Sequence, residues 1–166
     1  MPAAGLLTDF LNTDRDGADL LATPDGLAAW GRQTGTAEAG VWISPGDAAA
    51  ARELRSALRV LLAGGGSGPL DTCAARVPLT LLVGADGTAE LSAVRGGGDA
   101  PLGAVLAAIL EAQTDGSWRR LKLCRDPACG RAFVDGSRNR SRAWCDMATC
   151  GSRSKMRAYR ARRPRR

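Results

Sequence analysis

The chain contains no histidine. That absence excludes His-containing zinc sites, Ser-His-Asp and Cys-His catalysis, and any histidine-based pH switch. Aromatic residues make up only 4%, so a buried core must be built largely from Leu, Val and Ala. Long apolar runs are missing as well. The longest, Leu102 to Leu110, spans nine residues and stops at Glu111, far short of the roughly 20 that cross a bilayer. The start has no basic n-region, and these features together predict a soluble, cytoplasmic protein with no membrane partner. Catalytic constellations are equally scarce. The carboxylates are scattered, and the glycine clusters at 64–66 and 96–98 lack the Lys and Ser/Thr context of a phosphate-binding loop. The expectation is a protein that is not an enzyme.

A chain of 166 residues with 45% hydrophobic content can bury one proper core, plus a second unit if that unit is small or stapled by a metal. The net charge of +6 hides a division. Residues 119–166 hold 16 Lys or Arg against Asp126, Asp135 and Asp146, a net of +13, which leaves residues 1–118 at −7. A basic segment joined to an acidic body points to a polyanionic partner, because neutralising phosphates releases counterions whatever sequence is read.

Four of the five cysteines lie in that basic segment, as Cys124-x4-Cys129, fifteen residues, then Cys145-x4-Cys150. Two disulfides or four free thiols would satisfy the count, but a disulfide framework belongs to small secreted chains. Two thiolate pairs at this separation suit one tetrahedral Zn2+, and four protein sulfurs leave no open position, so the metal would be structural. Gly130 follows the first pair as a tight turn requires, 131–135 reads as a short strand, and a basic helix begins near Gly151. Knuckle, hairpin and a second ligand pair at a helix start make a treble-clef-like finger.

Asp135-Gly136-Ser137-Arg138-Asn139, Arg142-Ala143-Trp144-Cys145-Asp146-Met147 and Cys150-Gly151-Ser152-Arg153-Ser154-Lys155 closely resemble the CGNR zinc-finger family of bacterial proteins. Ser152 stands where that family's tetrapeptide has Asn; either side chain can cap the last helix. The resemblance implies an N-terminal ABATE domain and a role in stress-induced transcription regulation. The opening Leu7-Thr8-Asp9-Phe10-Leu11-Asn12-Thr13 is similar to the start of that domain. Within it Asp9 and Asn12 are candidates to line a ligand pocket, the alternative being local capping of helix and loop.

The remaining chain reads as mostly helical. Leu6, Leu7, Phe10 and Leu11 share a helix face; Thr23-Pro24 and Ser44-Pro45 mark two helix starts, with Leu27 and Trp30 buried from the first and Leu54, Leu58, Leu61 and Leu62 from the second. Arg52, Arg55 and Arg59 read as a solvated helix face, or else as an anion-effector site. A short helix is predicted over 69–76, with Cys73 as a small buried hydrophobe. Runs at 79–83 and 88–94 around Asp86-Gly87 make a hairpin, and Pro101 opens an apolar helix through Leu110. The expected fold is α+β: a mostly helical domain with one β-hairpin over 1–116, then the four-cysteine finger over 117–166, with Trp118 docking one on the other.

The final helix, expected from Gly151 to Arg163, places Met156 and Tyr159 toward Phe133 and Trp144 and spreads cations over its other sides. The resulting expectation is a regulator that contacts duplex DNA. Arg153 and Lys155 stand nearest the bases, Arg138, Arg140 and Arg142 grip backbone from the loop, and Arg157 and Arg160 extend the contact. The competing expectation is a zinc-stapled module that docks on protein or RNA. A small-molecule effector for the N-terminal domain follows from the two-part architecture, and a homodimer would add the contacts that one small finger lacks.

Overall fold

A computed structural model of the chain describes residues 2–15 and 17–162. Helix α1 (Ala3–Leu11) buries Leu7, Phe10 and Leu11 completely, as its spacing predicts. After a loop and a 3-10 turn at Leu20–Ala22 comes α2 (Pro24–Thr34), which starts where the sequence says it should: the Thr23 hydroxyl accepts from the Gly26 N–H at 3.1 Å. Helix α3 (Pro45–Leu62) opens on a full capping box. Ser44 Oγ accepts from Asp47 N–H, and Asp47 Oδ2 accepts in return from Ser44 N–H at 2.7 Å. Helix α4 (Gly68–Ala74) is short, and Cys73 within it is half-buried rather than fully enclosed.

Strands β1 (Leu79–Val83) and β2 (Ala89–Ala93) pair antiparallel with Leu81 opposite Leu91. They lie against α5 (Asp99–Thr114), the most central helix, where Leu102 and Val105 are buried. Gly103 lets the hairpin come close, since a Cβ there would stand 2.8 Å from the Ala93 Cβ. Cover is incomplete: β1 is exposed over most of its length, and Leu110, expected on the core face of α5, is 53% exposed. Leu110 lines an open groove beside the equally exposed Leu81, where no further layer covers α5 and the hairpin among the described residues.

The arginines of α3 correct a sequence expectation. Arg55 is 6% exposed, not solvated, and its guanidinium forks onto Asp19 at 2.7 and 2.8 Å while donating to Thr13 Oγ1 at 2.9 Å. Arg59 donates to the Leu11 carbonyl and to Asp14, and Arg52 to the Leu21 carbonyl. The planar, multi-donor head of Arg can fasten a loop whose backbone has no ladder of its own. These side chains therefore tie Leu11, Thr13, Asp14, Asp19 and Leu21 to α3 and do not form a free anion site. Burial and the Arg55 fork act in opposite directions on Asp19; the Arg55 hydrogen bond is the larger and holds the carboxyl below its ordinary value.

A 3-10 turn at Ser117–Arg120 leads into β3 (Leu121–Leu123), which pairs antiparallel with β4 (Ala132–Val134). Leu121 and Ala132 are buried in the same cluster as α1, α3 and α5, and Trp118 packs against that cluster, as expected of a docking residue. The chain ends in a π turn, Met147–Gly151, followed by α6 (Ser152–Arg162). Arg163, expected within this helix, lies outside the described residues. No described helix is long and apolar enough to cross a membrane.

Candidate metal centre

The connection between β3 and β4 is a knuckle that carries Cys124 and Cys129. Cys124 N–H donates to the Arg131 carbonyl, Cys129 N–H to the Asp126 carbonyl, and Gly130 completes the turn with φ +57°, a conformation that glycine adopts without strain. The other pair straddles the π turn: Cys145 precedes it and Cys150 sits inside it, at the foot of α6. The cap of that turn is Asp146, whose carboxylate accepts from Thr149 N–H at 2.7 Å and from its hydroxyl at 2.8 Å. Ser152 does not cap; its hydroxyl leans back on the Met147 carbonyl. Asp146 stands six residues earlier and supplies a carboxylate at a helix N-terminus, the stronger device.

The four sulfurs converge within 4.8 Å of one another. Cys129 and Cys145 Sγ stand 3.6 Å apart and Cys145 and Cys150 Sγ 3.7 Å, too far for any disulfide. Four sulfurs about 2.3 Å from a common centre would be separated by about 3.8 Å, so the spacing fits a tetrahedral ion. Without an ion, burial and the neighbouring thiols push the Cys145 thiol up to about 12 and raise Cys129, while Cys150 is drawn down despite burial by hydrogen bonds from Thr149, Cys129 and Arg153. A cluster that resists collective ionisation is one in which a cation exchanges for protons.

Two acids, Asp126 counted only as a charge and Asp135 also as part of the resembling motif, turn out to build the site. Asp126 is completely buried beneath the knuckle and accepts from Ala128 N–H at 3.2 Å, Arg153 Nε at 2.8 Å and Arg157 Nη2 at 3.2 Å. Burial opposes its ionisation, but these donors prevail and its pKa stays below the ordinary value. Asp135, also completely buried, collects Lys122 Nζ at 2.7 Å, the N–H and hydroxyl of Ser137, and Arg142 N–H, which hold its carboxyl well below the usual range against burial. The signal for both was present: an Asp two residues after a ligand cysteine or before Gly-Ser is an Asx-turn former.

The expected nucleic-acid residues divide into two groups. Arg153 points inward, reaching Asp126 and donating to Cys150 Sγ at 3.2 Å; Arg157 joins it on Asp126. Arg142 donates to the Cys145 carbonyl at 2.6 Å and covers the Phe133 ring at 5.4 Å. The side chains of Arg138, Arg140, Lys155 and Arg160 are exposed and make no hydrogen bond or ion pair among the described residues. Met156 and Tyr159 do not enter the finger's core, being 52% and 58% exposed. That core is Cys124, Phe133 and Cys150 with Cys129, Trp144 and Cys145 around it, and it is Arg153 and Arg157 that α6 turns toward it, onto Asp126 and Cys150.

Of the two ligand-pocket candidates, Asp9 lies on the solvent face of α1. Asn12 does something else: its carboxamide pairs with the backbone of Ala132 in β4, and next to it Arg15 donates to the Cys129 carbonyl. The body thus holds the finger at the edge of its hairpin and at its knuckle.

Residues 5–116 match the ABATE family profile, described as a putative stress-induced transcription regulator, and residues 120–163 match the CGNR zinc finger. No curated protein matches the chain.

Proposed function

Because this chain belongs to the ABATE family and carries a CGNR zinc finger, we propose that it is a transcription regulator whose finger grips duplex DNA. Zn2+ is the ion we assign to Cys124, Cys129, Cys145 and Cys150, and its role there is structural, since four sulfurs complete its shell. The observation that carries the DNA reading is the face the finger leaves unused. Helix α6 buries no residue, and Lys155, Arg160 and Arg162 on it, with Arg138 and Arg140 on the preceding loop, present cations that no described carboxylate neutralises.

In this reading the cations of the finger divide the work. Arg153 and Arg157 fix the direction of α6 by holding Asp126, and Arg142 braces the loop on Phe133. Arg138, Arg140, Lys155 and Arg160 reach phosphates and base edges, contacts that position and specify respectively. The body carries the regulatory input, for which a small-molecule effector is the expectation. The α-helical segment Ser152–Arg162 suits the major groove, which admits one helix.

The test is selection from a random duplex pool with the zinc-loaded chain at near-physiological salt. An enriched motif supports a sequence-specific regulator, and its symmetry reports the oligomer. Retention without a motif reduces the reading to general polyanion binding. No retention overturns it in favour of the competing reading, a module that docks on protein or RNA.

A further inference from the structure

The exposed helix and the incomplete hairpin are two solvent-facing surfaces in one chain, and they match. Helix α6 has 11 residues, none of them buried, and helices this short are marginal in water without packing. Met156 and Tyr159, three apart, share one of its faces, with Lys155 on one flank and Arg160 on the other. On the body, the strands of the hairpin and the C-terminal half of α5 leave a groove of about 400 Å³ lined by Leu81, Leu91 and Leu110. Its rim carries Glu90, Glu111 and Asp115, and no Lys or Arg among the described residues lines it. Leu81 is 60% exposed, so apolar floor and acidic rim both face solvent.

We infer that this groove receives α6 of a second copy of the chain, Met156 and Tyr159 entering over Leu81, Leu91 and Leu110 while Lys155 and Arg160 meet the rim carboxylates. Charge chooses this occupant: residues 119–166 carry +13 and residues 1–118 carry −7, so two copies repel when like halves meet and attract when helix meets groove. The groove has room for two side chains rather than a whole helix, which fits a helix that lies across it and inserts only its apolar pair. A reciprocal pair uses each contact twice and closes as a dimer. This association does not require DNA, but it covers Lys155 and Arg160, so the dimer and DNA compete for the same helix.

Sedimentation velocity on the zinc-loaded full chain without DNA tests it. The expected result is dimerisation at about 50 mM salt that is lost at about 500 mM, where attraction between exposed charges is screened. Leu110→Glu in the groove and Met156→Glu on the helix each act at an exposed position, so zinc content and circular dichroism stay unchanged while self-association weakens by about tenfold or more. Mixing the two variants, each labelled for energy transfer, restores association, because one chain keeps its helix and the other its groove. A monomer at every concentration and salt overturns the inference. So does a dimer that either substitution leaves intact, or a mixture that stays apart. Leu110→Glu also separates this from DNA binding: it leaves the DNA affinity of dilute protein as it was, whereas failure of DNA binding in the unaltered chain would leave the self-association result standing.

Discussion

The carboxamide of Asn12 meets the backbone of Ala132 as a neighbouring strand would, Nδ2 donating to the carbonyl at 3.0 Å and Oδ1 accepting from the N–H at 2.9 Å. One side chain just past the first helix of the body thereby satisfies both polar groups of a buried residue in the finger. An amide is the only side-chain group that offers donor and acceptor in this fixed spacing.

Replacing Asn12 by Ala leaves that N–H and C=O without partners and is expected to lower stability by about 1–3 kcal/mol. Asn12→Asp should be the worse of the two, since a carboxylate would face the Ala132 carbonyl oxygen. Denaturant unfolding followed by circular dichroism measures both. Full metal content in the folded variants is expected, because the four cysteines lie elsewhere; metal loss from Asn12→Ala at neutral pH would refute this division of labour.

Removal of the metal should reach further than the finger. Leu121 and Ala132 sit in the body's own buried cluster, and the knuckle between their strands is shaped by the sulfurs. With a chelator present, the thermal transition of the whole chain is expected to shift down as one event. A body transition that ignores the chelator would mean that the finger is only tethered. Restoring Zn2+ should restore the transition, and the pH at which the metal is lost should be higher in Arg153→Ala, which lacks the donor on Cys150.

Arg55 and Asp19 supply the pH dependence of the body. The Arg55 guanidinium depresses the Asp19 carboxyl, so the folded pKa lies below the unfolded value of about 3.9. The sign follows: the pair's stabilisation is present above that value and is lost as pH falls below it toward the folded pKa. Arg55→Met is expected to cost about 2 kcal/mol at neutral pH, a figure that allows for solvent reaching Asp19. It should also flatten the acid limb of the stability curve. A steep acid limb that survives unchanged in Arg55→Met would place the titration on other groups.

What the sequence disclosed and what it withheld follow one physical line. The caps Thr23 and Ser44, the turn at Asp86-Gly87 and the two cysteine pairs are short-range signals, each complete within a few residues. The roles of Arg55, Arg153 and Asn12 depend on partners 36, 27 and 120 positions away, and no periodicity in the chain contains those distances. A guanidinium on an amphipathic helix reads as solvated until a buried carboxylate is known to lie opposite. Met156 and Tyr159 misled for the complementary reason: apolar spacing says which side chains share a face but not which way that face turns.

The same distinction separates two arginine-rich explanations of the finger by experiment. Lys155→Ala, like Arg138→Ala, removes an exposed cation and is expected to weaken binding to duplex DNA uniformly across sequences while lowering the slope of log affinity against log salt by about 1. Arg153→Ala removes a cation that is already spent on Asp126 and Cys150, so its salt slope should stay close to that of the unaltered chain while its metal retention falls. Asp126→Asn makes the opposite change. It keeps every cation but loosens Arg153 and Arg157, and is expected to keep or raise general DNA affinity while blurring sequence preference, because the helix direction is no longer fixed. Affinity titrations at several salt concentrations, run beside metal analysis of the same samples, distinguish the three. A salt slope that drops in Arg153→Ala with metal intact would return that arginine to the phosphate contacts.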